Sequence, residues 1–577
     1  MGNLDNDCVK YSMIISLLTM SISGTTTWGT PSIDSIEPAF GEIGSEITIN
    51  GSDFSPNDID NVVFFGGLKA EIRSATENEL RVSVPAGVYS TPISVYTNGL
   101  FASSSQRFNV IFDAAEQFTV NHLSNQLHNP YLGAKYYDAR IADMNGDGVA
   151  EIVTSEAGEG SSAYLAIFTT SFDSEGAISI DDKLHFNFGT GVYSQPQDIA
   201  IGDINGDGLL DVVTSERGDI TDDFQSHTCI FINTSHGDSF SFNAPFIISG
   251  EGYEDSVQLQ DINGDGKLDV VTTRYVYNNI GIYINTSDNK SMSFDNKIII
   301  ENILAYERPA FADLNGDGMV DIVTTAYSTS ISNREVFVYS NNSAKGDIAF
   351  TLEATILSGG PPPNGGEWNW SALNPTLADI DGDGKLDISV SNGTCGFCSL
   401  SGISIIRNVS TDSELLFEYE FSDFYQYQSQ SLPIRIHVSD LNGDGRPDLL
   451  TNDWMGGISI IMNASTPENI SLDEQMIIGI GNYPLSVATA DLNMDATPEI
   501  VVTNWDVEGM RILHNFLPVS NCNTAGDVNA DGVVSVADLL LVIDQWGLTD
   551  SPADINFDGI VDVADLLILI GNWGPCE

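Results

Sequence analysis

The chain has little positive charge. Its 577 residues include 21 Lys and Arg but 81 Asp and Glu, which gives a formal net charge of −60 at pH 7. Nucleic acids and anionic membranes are bound through basic surfaces, so the composition argues against both as partners. So many carboxylates repel one another on a folded surface, and bound cations would offset that repulsion.

Long apolar segments are also missing. The most apolar stretch, from Ser12 to Ile22, is too short to span a bilayer as a helix. It resembles the apolar core of a secretory signal, with the small residues Ser23 and Gly24 behind it. We therefore expect a signal peptide at residues 1–27, no integral membrane segment after its removal, and a secreted protein that is extracellular or on the cell surface.

The sequence lacks recognisable catalytic motifs. Its seven histidines are scattered, and no nucleophile elbow, zinc motif or phosphate-binding loop is present. We therefore predict no catalytic residues, and a binding protein is favoured over an enzyme.

One acidic nonapeptide recurs seven times, at spacings of 51 to 66 residues. Six copies read D-x-[ND]-G-D-G-x-x-[DE], with side-chain oxygens at positions 1, 3, 5 and 9 and a main-chain carbonyl at position 7. That spacing is typical of a calcium loop, and glycine at position 6 allows the positive φ that folds the loop around the ion. The predicted ligands are Asp143, Asn145, Asp147, Val149, Glu151; Asp203, Asn205, Asp207, Leu209, Asp211; Asp261, Asn263, Asp265, Lys267, Asp269; Asp313, Asn315, Asp317, Met319, Asp321; Asp379, Asp381, Asp383, Lys385, Asp387; Asp440, Asn442, Asp444, Arg446, Asp448; and Asp491, Asn493, Asp495, Thr497, Glu499.

The seventh copy departs from the pattern. It has Ala496 where glycine is expected, and positive φ costs a residue with a Cβ about 1 kcal/mol or more. This loop either binds calcium weakly or survives only as a turn.

Each nonapeptide lies between two predicted strands, and two more strands complete the repeat. The third strand usually ends in Asn, as at Asn233 and Asn285. Four short strands per repeat predict a β-propeller, with seven blades over residues 113–518. The last repeat stops after its third strand, so we expect the segment Phe118 to Val120 to supply the missing fourth strand and close the ring.

These repeats resemble the FG-GAP/VCBS family, which includes integrin α-subunit heads and many secreted bacterial proteins. The resemblance implies a propeller with calcium on one face. It implies no particular ligand, because the fold serves adhesion, sugar binding and catalysis alike.

A separate module precedes the repeats at residues 28–112. Short alternating strands between turns, such as Ile47 to Gly51 and Leu80 to Pro85, predict an immunoglobulin-like β-sandwich. The order of its Pro, Gly and Phe residues resembles the IPT/TIG domain, which implies a spacer or an interaction module.

The last segment, residues 519–577, contains two twelve-position acidic loops, each followed by an apolar helix that ends in Trp-Gly. These paired units resemble dockerin repeats, which implies a small α-helical calcium module and a cohesin-like partner. Val536-Ala537 and Val563-Ala564 stand where a hydroxyl pair often guides cohesin recognition, so the partner is either divergent or absent. The predicted ligands are Asp527, Asn529, Asp531, Val533, Ser535, Asp538, Asp554, Asn556, Asp558, Ile560, Asp562 and Asp565. With the propeller loops, the expected total is about eight to nine calcium ions.

Two disulfides are predicted. Cys522 and Cys576 bracket the duplicated tail, whose ends should meet. Cys395 and Cys398 suit a small loop-tying disulfide better than a redox motif, because no helix follows them. Cys229 lies in an apolar strand and is expected to be a buried free thiol.

The face opposite the calcium loops is the expected ligand face. Exposed aromatic rings beside Asp and Asn suit sugar rings, although the same Trp residues could serve only in blade packing. The candidate ligand-binding residues are Trp368, Trp370, Tyr425, Tyr427, Trp454 and Trp505. Arg274, Arg308 and Arg435 could ring the central opening, either to bind a ligand or to balance carboxylates.

The sequence thus predicts a mainly β protein: an immunoglobulin-like β-sandwich, a seven-bladed calcium-loop propeller and a dockerin-like tail. The predicted function is that of a secreted, calcium-binding modular protein for adhesion or carbohydrate binding, with a glycan or protein ligand and with the tail as a candidate tether. Two alternatives stay open: a polysaccharide lyase on the propeller, and a structural component of an extracellular assembly.

Overall fold

The computed structural model describes most of the chain from residue 29 onward. The described residues are 29–88, 91–112, 118–128, 135–157, 163–172, 178–188, 195–217, 225–237, 239–251, 254–274, 279–287, 291–295, 297–300, 308–325, 335–343, 347–358, 371–393, 401–411, 415–419, 424–426, 433–454, 457–467, 469–481, 483–505, 509–517, 533–534, 539, 541–543, 545–546, 553, 560–561, 563–571 and 574–575.

Two sheets form the N-terminal sandwich. The first has the order β1 (Ser32–Glu37), β3 (Glu46–Ser52), β7 (Glu79–Ser83), β6 (Glu71–Ala75). The second has the order β2 (Phe40–Gly41), β9 (Leu100–Val110), β8 (Thr91–Thr97), β4 (Asn61–Phe65), β5 (Leu68–Lys69). Apolar residues alternate along the strands, so that Ile49 and Phe108 from the two sheets lie in one core. A 3-10 turn, Asp58–Asp60, precedes β4.

Seven further antiparallel sheets follow in the described part of the chain, and we number them sheet 1 to sheet 7. Within each sheet the strands pair in chain order, apart from one addition in sheet 5 and one in sheet 7. Sheets 1 to 4 consist of β11 (Lys135–Ala142), β12 (Glu151–Ala157), β13 (Ala163–Phe172), β14 (Ile178–Asn187); β15 (Gln195–Gly202), β16 (Asp211–Arg217), β17 (Gln225–Phe231), β18 (Phe246–Glu251); β19 (Glu254–Gln260), β20 (Asp269–Arg274), β21 (Asn279–Tyr283), β22 (Ile298–Ile300); and β23 (Ala310–Ala312), β24 (Asp321–Thr325), β25 (Glu335–Asn341), β26 (Phe350–Leu357).

Sheets 5 to 7 repeat the pattern. They consist of β27 (Ser371–Ala378), β28 (Asp387–Gly393), β29 (Gly402–Asn408), β30 (Phe417–Glu418), with β31 (Phe424–Gln426) also paired to β29; β32 (Pro433–Ser439), β33 (Asp448–Asp453), β34 (Gly457–Ile461), β35 (Met476–Ile478); and β36 (Pro484–Ala490), β37 (Glu499–Asn504), β38 (Met510–Asn515). First strands lie side by side from sheet 1 to sheet 3 and from sheet 4 to sheet 7, sheets 3 and 4 share an apolar core, and β36 of sheet 7 returns to β11 of sheet 1. The sheets therefore follow one another around a ring.

An N-terminal strand completes sheet 7, but it is not the segment predicted from the sequence. The fourth strand is β10 (Leu123–His128), which pairs with Met510–Asn515. The prediction of Phe118 to Val120 was wrong because that segment leads into a 3-10 turn, Val120–His122, and Phe118 is buried between sheets 6 and 7. Leu123–His128 has only two apolar residues, so its strand character was not evident from the sequence, and its pairing with β38 identifies it as the fourth strand.

The second strand of each sheet is buried on both faces. In β16, Val212 and Val213 point to opposite faces, and both are fully buried. Burial on both faces accounts for the short apolar run in each second strand. Its first residue is the acidic ninth position of a nonapeptide, such as Asp211.

The sandwich lies against the acidic loops of the ring. The Asp143 N–H donates to the Gly67 carbonyl at 3.0 Å, and the Asp203 N–H donates to the Tyr96 hydroxyl at 3.1 Å. The Phe101 N–H donates to the Gly266 carbonyl at 2.6 Å. The apolar core of the sandwich continues into sheets 1 and 7.

The described part of the tail contains the helix α1 (Val563–Gly571), further helical residues at 539 and 541–543, and a short strand pair, β39 (Val533–Val534) with β40 (Gly574–Pro575). Val542, Ala553, Val561 and Leu569 form its small core. The pairing brings the first tail loop beside the end of the chain, as expected for a duplicated unit. None of the described helices is long and apolar enough to cross a membrane.

Candidate functional site

The seven nonapeptides form the turns between the first and second strands of the seven sheets. In sheet 2, Asp203 Oδ1 accepts the N–H groups of Gly206 and Asp207 at 2.7 and 3.0 Å, and Oδ2 accepts that of Gly208 at 2.7 Å. Gly206 and Gly208 have φ of 75° and 87°, which favours glycine at both positions. The loop therefore wraps around the carboxylate of its own first residue.

The ninth residue anchors the other side of the loop. Asp211 Oδ2 accepts the Ile204 N–H at 3.0 Å, and Oδ1 accepts the Asn233 N–H at 2.7 Å. Asp211 is fully buried and Asp203 is 2% exposed. The carboxylates at positions 1 and 9 thus converge in a site that is largely closed to solvent.

The charge of these carboxylates is not balanced within the loop. Burial raises the pKa of Asp203 to about 6 and that of Glu151 to about 8, and it raises the pKa of Asp211 well above its ordinary value. Among the described residues, no Lys, Arg or His forms an ion pair with Asp203, Asp207 or Asp211, so backbone N–H groups and the neutral Asn205 amide stabilise their charge. A buried carboxylate cluster of this kind is costly without a cation. The oxygen-rich donor set, of carboxylates, an amide and main-chain carbonyls, fits calcium.

All the predicted ligand residues of the seven loops lie in these turns. In sheet 5, carboxylate oxygens of Asp379, Asp381 and Asp387 lie within 4.8 Å of one another. Arg407 is an exception to the lack of cations, since its guanidinium contacts Asp381 at 2.8 Å. Of the predicted tail ligands, Val533, Ile560 and the backbone of Asp565 lie among the described residues; the other nine lie outside them, as do Cys395, Cys398, Cys522 and Cys576. Cys229 is a buried free thiol, as predicted.

The asparagine that ends the third strand has a role that the sequence reasoning missed. Asn233 Nδ2 donates to the Leu210 carbonyl of its own loop at 2.9 Å and to the Met144 carbonyl of the preceding loop at 2.6 Å. The same two-way contact is made by Asn285, Asn341 and Asn463. One side chain therefore ties each of these loops to its neighbour. The recurrence of asparagine at the end of the third strand was the sequence signal for this role.

Two candidate ligand-binding residues, Trp454 and Trp505, come together on the opposite side of the ring. They follow β33 and β37 and are 43% and 37% exposed. Tyr483 lies between them: its ring meets Trp454 edge-on at 4.7 Å, and its carbonyl accepts the Trp505 N–H at 2.9 Å. The Lys135 ammonium lies 4.3 Å from the centre of the Trp505 ring. Tyr425 is half-buried in β31, and Trp368, Trp370 and Tyr427 lie outside the described residues.

A cavity of about 500 Å³ lies inside the ring, with the sandwich at one side. Its lining includes Arg107 of the sandwich and Arg140, Arg308, Arg435 and His437 of the ring. Two predicted residues, Arg308 and Arg435, thus do face the central opening, whereas the side chain of Arg274 lies outside the described part.

Two buried carboxylates partly balance these arginines. Arg140 contacts Asp138 at 2.9 Å, and the Arg308 Nε–H donates to Asp198 at 3.0 Å. Burial opposes ionisation of Asp138, but Arg140, Arg308 and Arg435 overcome it and lower its pKa to about 2. Burial and the nearby Arg107 and Arg140 lower the pKa of His437 to about 3, so its imidazole is neutral at neutral pH.

Comparison with known proteins identifies three kinds of module. Residues 31–110 match the IPT/TIG domain, residues 203–272, 261–324 and 440–502 match the FG-GAP-like repeat, and residues 525–572 match the dockerin type I domain. The human T-cell immunomodulatory protein is 25% identical over 309 residues, which are 44% of this chain and 48% of that protein. The chain thus spans about half the length of this curated relative.

Solved structures with similar strand arrangements have low overall structural similarity to this chain, as their TM-scores show. An auxiliary nutrient binding protein from Bacteroides thetaiotaomicron has a TM-score of 0.29 and 10% identity, covering 84% of this chain and 97% of that one. The Vibrio cholerae biofilm matrix protein Bap1 has a TM-score of 0.29 and 12% identity, covering 71% and 92%. TM-scores this low establish no common function. The sequence matches show that the chain is a modular protein with an IPT/TIG domain, FG-GAP-like repeats and a C-terminal dockerin type I domain.

Proposed function

We propose that this is a secreted, calcium-binding protein that binds carbohydrate or mediates adhesion through a seven-bladed propeller. Ring closure through β10 and the side-by-side first strands support the propeller. Modules of the FG-GAP and dockerin types are typical of extracellular proteins, which supports secretion.

Calcium in the acidic loops would neutralise the buried carboxylates that lack a cation. Asp203, Asn205, Asp207 and Asp211, with the Leu209 carbonyl, would hold the ion in sheet 2, and the equivalent residues would do so in the other sheets. Bound calcium would act on the fold and not on a reaction, because the loops of sheets 1, 2, 3 and 6 contact the sandwich. Dockerin type I domains bind calcium as well, and this module implies a cohesin partner for the tail.

The exposed Trp454–Tyr483–Trp505 cluster is the main support for the proposed glycan ligand. Two indole rings are held on a rigid frame by Tyr483, on the side of the ring that the sandwich leaves open. Aromatic faces stack on the CH face of a sugar, and neighbouring polar groups bind its hydroxyls. Lys135 beside Trp505 would favour an acidic sugar.

A glycan array, run in calcium and again after chelation, tests this proposal. Trp454→Ala and Trp505→Ala should each weaken glycan binding about thirty-fold, since loss of a central aromatic contact costs about 2 kcal/mol. Trp546→Ala is the matched control, because Trp546 is 47% exposed but lies in the tail. Unchanged glycan binding by Trp454→Ala and Trp505→Ala, with melting temperatures equal to wild type, would rule out this surface as the glycan-binding site.

The inner cavity supports a second candidate, a lyase that acts on uronate ends. Arg140, Arg308 and Arg435 could neutralise a carboxylate, and the neutral His437 could accept a proton beside it. Release of unsaturated uronate from pectin or alginate, followed by ultraviolet absorbance, tests this. His437→Gln and Arg435→Gln should abolish the signal, and no absorbance change in wild type would leave only the binding role.

A further inference from the structure

Sheet 7 carries a histidine where the other sheets do not. His514 immediately precedes Asn515, the third-strand asparagine of that sheet. The corresponding residues of sheets 2 to 6 are Ile232, Ile284, Ser340, Arg407 and Met462. In sheet 5 this position reaches the acidic loop, because Arg407 contacts Asp381 at 2.8 Å. An imidazole in the same place faces the carboxylates of the seventh loop.

The geometry around His514 is that of a metal site. Its Nε2 lies 3.4 Å from Glu499 Oε1 and 3.6 Å from Asp495 Oδ2, and Asn493 Nδ2 lies 2.7 Å away. The ligand atoms of His514, Asp495 and Glu499 all lie within 4.8 Å of one another. Ligands about 2.1 Å from a tetrahedral zinc ion are about 3.4 Å apart, so these side chains need little movement to share an ion.

A second observation also points to a missing ligand. Glu499 is fully buried; the Asn515 N–H faces its carboxylate, but Oε1 makes no hydrogen bond of ordinary geometry among the described residues. This is the oxygen that faces His514 Nε2. A buried carboxylate oxygen in a native protein is normally satisfied, and a bound cation would satisfy this one.

The imidazole decides which cation suits the site. Calcium takes oxygen ligands, whereas imidazole with carboxylates suits zinc and neighbouring transition metals. The seventh loop also has Met494 and Ala496, with φ of 61° and 73°, where the other loops have glycine. It therefore keeps the backbone shape of a calcium loop without its glycines, and departs from that loop in ligand chemistry.

We propose that Asp495, Glu499 and His514 bind one zinc-class transition metal ion in sheet 7, in place of calcium. This inference refines the proposed calcium function at one loop and leaves the other six loops unchanged. An ion here would join the loop to the third strand of the sheet that closes the ring.

Metal content of the full-length protein tests the proposal. Metal-free protein is dialysed against micromolar zinc in millimolar calcium, and both metals are then counted by mass spectrometry. His514→Ile should bind one zinc fewer than wild type and the same amount of calcium. Isoleucine occupies this position in sheets 2 and 3, so the variant should fold, as its melting temperature in calcium can verify.

The control is His185→Gln, which removes another histidine that contacts a carboxylate, 2.9 Å from Glu156. Its zinc content should equal that of wild type. Cobalt in place of zinc should give the intense visible absorption of a tetrahedral site in wild type, at least about 100-fold weaker binding in His514→Ile, and no change in His185→Gln.

Equal zinc in wild type and His514→Ile, or displacement of the zinc by millimolar calcium, would overturn the proposal. The calcium count in the same samples reports separately on the other loops. Failure of the calcium proposal is thus distinguishable from failure of the zinc site.

Discussion

At the scale of single residues, the third-strand asparagines contribute hydrogen bonds between neighbouring sheets that the sequence pattern did not indicate. Asn341 is 2% exposed, and its Nδ2 donates to the Ile262 carbonyl of sheet 3 and to the Val320 carbonyl of its own loop, both at 3.0 Å. Its partner in the neighbouring sheet is 79 residues away in the chain. Repetition showed that the residue matters, but only the structure shows which atoms it joins.

Asn341→Ala should therefore lower the free energy of unfolding by about 2 kcal/mol, because it leaves two buried carbonyls without a donor. Asn342→Ala is the matched control: Asn342 is exposed, and its loss should change stability by less than about 0.5 kcal/mol. Denaturant unfolding in excess calcium measures both variants. Equal losses of stability in the two variants would contradict the conclusion that Asn341 links sheet 4 to sheet 3.

His437 gives a residue-scale prediction about acid. Its folded-state pKa is about 3, below its ordinary value of 6.5. The unfolded chain takes up a proton below that ordinary value while the folded protein does not, so stability is fully present above it and is lost as pH falls toward 3.

His437→Gln should therefore be less sensitive to acid than wild type. At pH 5 the stability gap between the two proteins should narrow by about 2 kcal/mol relative to pH 7.5. Unfolding midpoints across this range provide the measurement, and parallel pH profiles would contradict the assigned burial of a neutral imidazole.

At the scale of elements, the acidic loops were predictable because their residues are local and repeated. Asp203, Gly206, Gly208 and Asp211 all lie within nine positions, so the spacing alone predicted the turn between strands. The closing strand was harder to predict, because the polar segment Leu123 to His128 becomes a strand through its pairing with the distant β38, whereas the more apolar Phe118 to Val120 does not. Both the mainly β class and the helix after the second tail loop were predicted correctly.

The seventh loop keeps the backbone shape of the others without their glycines. Ala496 has φ of 73°, and its N–H still donates to Asp491 Oδ2 at 2.9 Å. The sequence left open whether this segment was only a turn, and the structure shows that the loop conformation is retained. The cost is backbone strain, of about 1 kcal/mol for a residue with a Cβ.

Exchanging alanine and glycine at the sixth position of two loops should show the effect of this backbone strain on stability. Ala496→Gly should stabilise the protein by about 0.5 to 1 kcal/mol, and Gly384→Ala in sheet 5 should destabilise it by about 1 kcal/mol. Gly384 has φ of 89°, and an added Cβ would meet no atom within 4 Å, so only the backbone is tested. Thermal unfolding in calcium measures both, and changes of the same sign would contradict the account.

At the scale of the whole molecule, the sandwich and the ring are one packed unit in the described residues. Apolar side chains of the sandwich, such as Ile49 and Phe108, share a core with Phe168 of sheet 1 and Ile512 of sheet 7. The sequence predicted the modules but not this contact. Tyr96 meets Asp203, 107 residues later, and no local pattern encodes such a pairing.

The central claim is that divalent cations in the acidic loops stabilise the packed sandwich and ring against the mutual repulsion of their carboxylates. Calorimetric unfolding of the full chain in millimolar calcium, compared with excess EDTA at the same ionic strength, tests it most directly. A cation at 100 times its dissociation constant adds about 2.7 kcal/mol per independent site, so the EDTA transition should lie many degrees lower, and magnesium should restore little of the loss. Superimposable transitions in calcium and EDTA would contradict the claim.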